Sequence, residues 1–270
     1  EGLSGPEKDI LEVLAVHYEP INQTELASGL RQLKVGAAGL IGKPWRDKML
    51  RLHLLETAGN QLRCQHLLAG RLAFQALKKG TYARFFELGV HQFDDRWGRE
   101  NHFYYHPSRF KRNLRHALLQ GDVKTFTELM TIPDPYATPA ADRSSAMIEV
   151  CMPLVHDWFD VMPSAFKFQL LRFSLEMQNY QLRDTGGLYQ LLQDCMANDA
   201  DRRSPLRVLL AEQELYRMNW DGFDTAIADD ASPRSVALRA AKEFILGENS
   251  RSLTTFAAAL AAQKKVTKKR

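Results

Sequence analysis

The sequence predicts a mainly α-helical protein, with an N-terminal winged helix-turn-helix carrying a small β-hairpin and then an α-helical body of degenerate tetratricopeptide (TPR)-like repeats. Three observations lead there. Residues 6–64 run through two short apolar-periodic stretches, a glycine-rich turn, a basic helical stretch and a hairpin pattern. Beyond residue 66 helical spacing continues almost without strand alternation. Three segments of that body repeat a helix, a small or polar turn, and a second helix with an aromatic residue inside.

The first helix is expected over Pro6–Tyr18, because Pro6 suits a first helical turn, Ser4 supplies a capping oxygen, and Leu11, Leu14 and Tyr18 share a face. Pro20 stops it. A second begins at Asn22 to Thr24, with Leu26, Leu30 and Leu33 as its buried stripe. From Pro44 a third puts Trp45, Met49 and Leu52 on one side, while Lys43, Asp47, Lys48 and Arg51 project away. A cationic outer face is what phosphate contact requires. Ala58-Gly59-Asn60 then separates two short apolar segments as a tight turn does, making Asn60, Gln61 and Arg63 wing residues. Lys34–Lys43 is longer than the usual turn of about three to four residues in this motif.

That turn resembles a phosphate-binding loop in Ala37–Lys43, but Pro44 stands where a Mg²⁺-ligating hydroxyl belongs and Arg31–Val35 reads as helix, not strand. No ATP site is expected there. A further helix is expected over His66–Lys79 with Gly80 as its stop. Others follow at 144–160, 164–182, 187–197, 205–219 and 233–246, with Pro133–Pro139 breaking the chain ahead of the first and Pro153 dividing it. The repeat-like pairs are 114–121 with 122–129, 209–219 with 220–227, and 238–247 with 248–260, their inner aromatics being Phe126, Phe223 and Phe256. In the last pair Leu253, Phe256, Ala257 and Leu260 form a helical stripe that is expected in the core.

The net charge of +4 conceals a reversal along the chain. Residues 1–116 hold 18 Lys/Arg against 12 Asp/Glu, residues 117–263 hold 13 against 20, and the last seven residues add five cations. An anion-facing N-terminal part and an acidic remainder follow from that. With 45% hydrophobic residues, no apolar run long enough to span a bilayer and no signal-like N-terminus, a cytoplasmic protein without membrane partners is expected. It starts at Glu1 without methionine and stops in a basic run, as a fragment would. Domains are expected at 1–80, 81–263 and 264–270, the last a basic tail or linker.

Residues suited to chemistry are sparse. Cys64, Cys151 and Cys195 lie far apart without metal-ligand spacing, which predicts reduced, buried thiols. His102 and His106, with Asp94 and Asp95 upstream, have i, i+4 spacing but lack the glutamate of a zinc-hydrolase helix. Cys151, His156 and Asp157 are too close along one segment to form a spatially assembled nucleophile set. No catalytic or metal site is expected. One aromatic and basic stretch suits nucleic acid: Phe103, Tyr104 and Tyr105 for stacking, then Arg109, Lys111, Arg112 and Arg115 for phosphates. Phe110 and Leu114 equally allow a helix with one buried side and a merely basic other side. The expected nucleic-acid-binding set is therefore Lys43, Lys48, Arg51, Arg63, Arg109, Lys111, Arg112 and Arg115, with DNA and a protein partner both open as ligands.

The opening Pro6–Ile21 and the ending Leu246–Leu260 with its Lys264–Arg270 tail resemble the N-terminal extension of large bacterial Swi/Snf-type, DEAD/DEAH-annotated helicases. The resemblance spans the two ends and is loose between them. It implies a non-catalytic DNA- or protein-binding accessory region of a motor protein, with no cofactor in this chain and ATP and Mg²⁺ confined to a downstream ATPase domain of the same polypeptide. A transcription regulator with a winged-helix reader and a helical sensor or dimerisation domain is the alternative.

Overall fold

A computed structural model describes residues 2–94, 107–131, 140–181, 186–197 and 205–267. Among these residues the protein has fifteen α-helices and a two-stranded antiparallel sheet, and no helix is long and apolar enough to cross a membrane. The chain divides into two compact units, Glu1–Leu170 and Leu171–Arg270.

The first unit is built around α1 (Gly5–His17). Ser4 and Glu7 form a reciprocal capping box: the Ser4 N–H donates to Glu7 Oε2 at 2.8 Å, and the Glu7 N–H to Ser4 Oγ at 3.4 Å. Ile10, Leu11, Val13, Leu14, Ala15 and Val16 are all buried. Apolar residues therefore cover most of the helix circumference, where the sequence showed a single face. Around it pack α4 (His66–Lys78) and α5 (Tyr82–Asp94).

Pro20 ends α1 as expected, and Ile21 enters an antiparallel bridge with Leu62. Asn22 then caps α2 (Gln23–Gln32), its Oδ1 accepting the Glu25 N–H at 2.8 Å. Gly29 of α2 is needed for close approach to α5, since a Cβ there would lie 2.0 Å from Leu88 Cδ1. A 3₁₀ turn (Ala38–Leu40) occupies the long connection, and Gly42 caps α3 (Lys43–Arg51). Trp45 and Met49 are buried, whereas Leu52, expected in the same stripe, is the C-cap and is 41% exposed.

The hairpin follows in the expected place. Strands β1 (Leu55–Ala58) and β2 (Gln61–Cys64) pair Leu55 with Cys64, Glu56 with Arg63, Thr57 with Leu62 and Ala58 with Gln61. Gly59 takes φ 61° at the turn, a conformation that glycine adopts without steric cost.

The rest of the unit is α6 (Pro107–Gln120), α7 (Val123–Thr131), α8 (Ala140–Cys151), α9 (His156–Val161) and the start of α10 (Ser164–Tyr180). Pro153 separates α8 from α9, because its ring removes the N–H that would continue the ladder. Phe126 and Phe166 pack at 4.5 Å between ring centroids.

The second unit contains the remainder of α10 with α11 (Gly186–Ala197), α12 (Pro205–Tyr216), α13 (Trp220–Ile227), α14 (Pro233–Ile245) and α15 (Asn249–Thr267). Its core gathers Ala211, Phe223, Ala226 and Ile227. The α12–α13 corner is held by the buried Glu214 carboxylate, which accepts from Tyr189 Oη at 2.6 Å and Asn219 Nδ2 at 2.8 Å. Asn219 also caps α13.

Candidate nucleic-acid interface

The Ile21–Leu62 bridge decides where the hairpin lies. The Ile21 N–H donates to the Leu62 carbonyl at 2.9 Å and the Leu62 N–H returns to the Ile21 carbonyl at 2.8 Å. This ties β2 to the link between α1 and α2 and brings the hairpin alongside the N-terminus of α2. A groove of 810 Å³ opens between the α2 N-terminus, α3 and the hairpin, lined by Asn22, Gln23, Arg46, Leu50, Asn60 and Gln61 among others. Its lining is mostly polar, and Gln23 Nε2 has no hydrogen-bond partner. The Glu25 carboxylate in the first turn of α2 also lines the groove and offsets the partial positive charge of that helix N-terminus, whose Glu25 N–H is already taken by Asn22 Oδ1.

The basic residues of α3 sort by direction. Lys43 and Arg51 are exposed, with no carboxylate partner within 4.0 Å among the described residues. Lys48 instead turns toward α1, where its ammonium donates to Glu7 Oε1 at 2.7 Å. That hydrogen bond, with the Ser4 amide, holds the Glu7 carboxyl below its ordinary range. Arg46 lines the groove and bonds Asp47 Oδ1 at 2.9 Å. Spacing had not singled out Arg46. The available signal was its position four residues before Leu50, which places both on one flank of α3.

The other expected contacts are engaged inside the unit. Arg63 pairs across the hairpin with Glu56 Oε2, with Nε at 2.8 Å, and Glu56 Oε1 meets His66 Nδ1 at 3.0 Å. Lys111 pairs with Glu149. Arg112 is buried, donates to the Phe86 carbonyl at 2.8 Å and lies over the Phe86 ring. Arg115 is 2% exposed and donates to the Ala15 and Ala69 carbonyls. Phe110 and Leu114 are buried as well, so α6 buries two of its cations beside its apolar residues, where a merely basic outer face was the alternative expected from sequence. The Arg109 side chain, the aromatic stretch His102–His106, Asp95, the Asp94 side chain and Pro133–Pro139 lie outside the described residues.

Titratable groups elsewhere are not gathered for chemistry. Burial pushes the Cys64 and Cys151 thiols up to about 12, while Asp157 bonds Lys78 at 3.0 Å. Among the described residues, no three His, Cys, Asp or Glu side chains come together as metal ligands. A smaller cavity of 260 Å³ is lined by Tyr18, Arg63, His66 and Glu149, of which Arg63, His66 and Glu149 are already paired. Compared with known proteins, the chain matches no family model, no curated protein and no solved structure.

Proposed function

We propose that the first unit carries a winged helix-turn-helix that docks duplex DNA through its backbone, as a non-catalytic accessory module. The observation carrying this reading is the groove framed by the α2 N-terminus, α3 and the hairpin, with Arg46 in its wall and Lys43 and Arg51 exposed on the same helix. The element order α1, bridge residue Ile21, α2, α3, β1, β2 supports it, because a hairpin tied back to the first connection forms a wing beside a recognition helix. Backbone docking is favoured over base reading because the cations sit at the groove's edge and on the outer face of α3, where phosphates would lie.

The resemblance of the two chain ends to Swi/Snf-type helicases fits a module that holds DNA for a motor elsewhere in the same polypeptide. Under this reading the chain itself performs no reaction. Three cations on phosphates give a log–log salt slope of about −3, so affinity falls about 40-fold between 50 and 200 mM salt. Fluorescence anisotropy with a 20-bp duplex of arbitrary sequence reads this directly. No binding at 50 mM salt overturns the proposal.

A further inference from the structure

The apolar stripe of α15 expected in the core faces solvent instead: Ser252 and Ala259 are buried, whereas Leu253 is 72% exposed, Phe256 38% and Leu260 63%. The first unit holds a surface of the opposite kind, concave and walled by four elements. It is the 260 Å³ cavity where the end of α1, strand β2, the first turn of α4 and the last turn of α8 meet. Leu14, Cys64 and Ala69 are buried in its wall. The buried Arg115 braces that wall, since its guanidinium lies against the Tyr18 ring and donates to the Ala69 carbonyl. An apolar wall held in place, with a few polar groups around it, is the usual form of a small-molecule site.

Four polar side chains line the same cavity, and each keeps one atom without a partner among the described residues. Glu56 takes Nε and Nη2 of Arg63, leaving Nη1 as a donor. The Tyr18 hydroxyl makes no hydrogen bond, and burial pushes its pKa up to about 12, so it stays a neutral donor. His66 turns Nδ1 to Glu56 Oε1 at 3.0 Å; a carboxylate accepts, so Nδ1 carries the proton and Nε2 of the neutral ring is an acceptor. Lys111 occupies Glu149 Oε2 and leaves Oε1 as a second acceptor. The charges of Arg63 and Glu149 both act on the Tyr18 hydroxyl, which places the cation and the anion on the same small space.

We propose that this cavity binds a free α-amino acid with an apolar side chain. Its carboxylate accepts from Arg63 Nη1 and Tyr18 Oη, its ammonium donates to Glu149 Oε1 and His66 Nε2, and its side chain lies against Leu14, Cys64 and Ala69. Two donors and two acceptors over an apolar wall match a zwitterion better than either half of one. A simple carboxylic acid leaves Glu149 facing an anion, and a simple amine leaves Arg63 facing a cation. The volume lies below the roughly 300–1,000 Å³ usual for larger ligands, which suits a molecule of amino-acid size and excludes a longer peptide.

Isothermal titration calorimetry of the whole chain with L-valine, L-leucine and L-phenylalanine tests this. At least one should bind with a Kd below about 1 mM. Analogues of the best binder that lack only the ammonium or only the carboxylate, for leucine 4-methylpentanoate and 3-methylbutylamine, should bind about 10-fold more weakly or worse. Arg63→Gln and Glu149→Gln should each weaken binding by about 10-fold or more. Lys111→Ala breaks the same ion pair as Glu149→Gln but keeps the carboxylate, so binding should persist. All three side chains are partly or fully exposed, so helical circular dichroism stays unchanged in the variants. No binding of any of the three amino acids overturns the proposal. So does a one-ended analogue that binds as tightly as its amino acid, or binding indifferent to both glutamine substitutions.

Discussion

Arg115 reaches across one hundred positions of sequence to the carbonyl of Ala15, 2.9 Å from its Nη1. Its other terminal nitrogen donates to the Ala69 carbonyl, and its guanidinium lies 4.8 Å from the centre of the Tyr18 ring. One side chain of α6 therefore joins α1 and α4 at the centre of the first unit. Burial lowers its pKa, and the groups around it, Tyr82, Tyr18, Cys64 and Cys151, favour the charged form. Removing it strips the Ala15 carbonyl at the end of α1 of its donor, takes a second donor from the Ala69 carbonyl and empties a buried side-chain site, so Arg115→Ala should cost about 3–5 kcal/mol in urea denaturation. Arg115→Lys should recover only part, because an ammonium cannot span both carbonyls as a planar fork does. A loss below about 1 kcal/mol contradicts this role.

Gly222 should tolerate no side chain. A Cβ there would meet Asn219 Nδ2 at 2.5 Å and Glu214 Cδ at 2.9 Å, and both belong to the hydrogen-bonded corner between α12 and α13. Gly222→Ala is expected to lower thermal stability by about 1–3 kcal/mol. Double substitution with Asn219→Ala should cost less than the sum of the two single changes, since each disrupts the same corner.

Acid should weaken the first unit well above carboxylate pH. Burial, aided by the nearby Arg112 charge, holds His17 down at about 4, and its Nδ1 contacts the Glu19 carbonyl at 3.0 Å. The unfolded chain takes up this proton near pH 6.5 while the folded chain refuses it. The stabilisation is therefore complete above pH 6.5 and is lost as pH falls toward 4, on the order of 3 kcal/mol for this residue. Burial lowers His116 in the same direction. Denaturation midpoints at pH 7.5 and 5 should differ in the native chain and differ less in His17→Asn, which keeps only the His116 share; equal pH dependence in both would refute the assignment.

Two apolar residues of the helical body should respond oppositely to truncation. Phe223 is fully buried beside Ala211 and Ile227, so Phe223→Ala should cost about 3–5 kcal/mol. Leu253→Ala, on the exposed face of α15, should change the stability of dilute protein by no more than about 0.5 kcal/mol.

Local signals were readable wherever local chemistry settles the outcome. Ser4 with Glu7, Asn22, Gly59 and Pro153 each act within four residues, and each begins, turns or interrupts an element where the sequence indicated. The direction of a long cation is decided elsewhere. Lys48 is drawn to Glu7, 41 residues away, and Lys111 to Glu149, 38 away, so helical spacing alone pointed them outward. Helix α1 hid its central place because the one face read from Leu11, Leu14 and Tyr18 gives no sign that Ile10, Val13 and Val16 on its other sides are buried too. On α15 the stripe was legible but its burial was not. Small residues let the helix approach α14 closely, and the larger side chains were left on the other side. The groove depends on the Ile21–Leu62 pairing, a contact between segments 41 residues apart that no local pattern announces.

The proposed docking of DNA on α3 is tested most directly by the salt slope of duplex binding for the whole chain and for the triple variant Lys43→Ala, Arg46→Ala, Arg51→Ala. These side chains are partly or fully exposed, so the variant should keep its fold. A slope of about −3 in the native chain that falls toward zero in the variant is the predicted result. An unchanged slope and affinity in the triple variant would place the DNA contact on another surface and contradict the account.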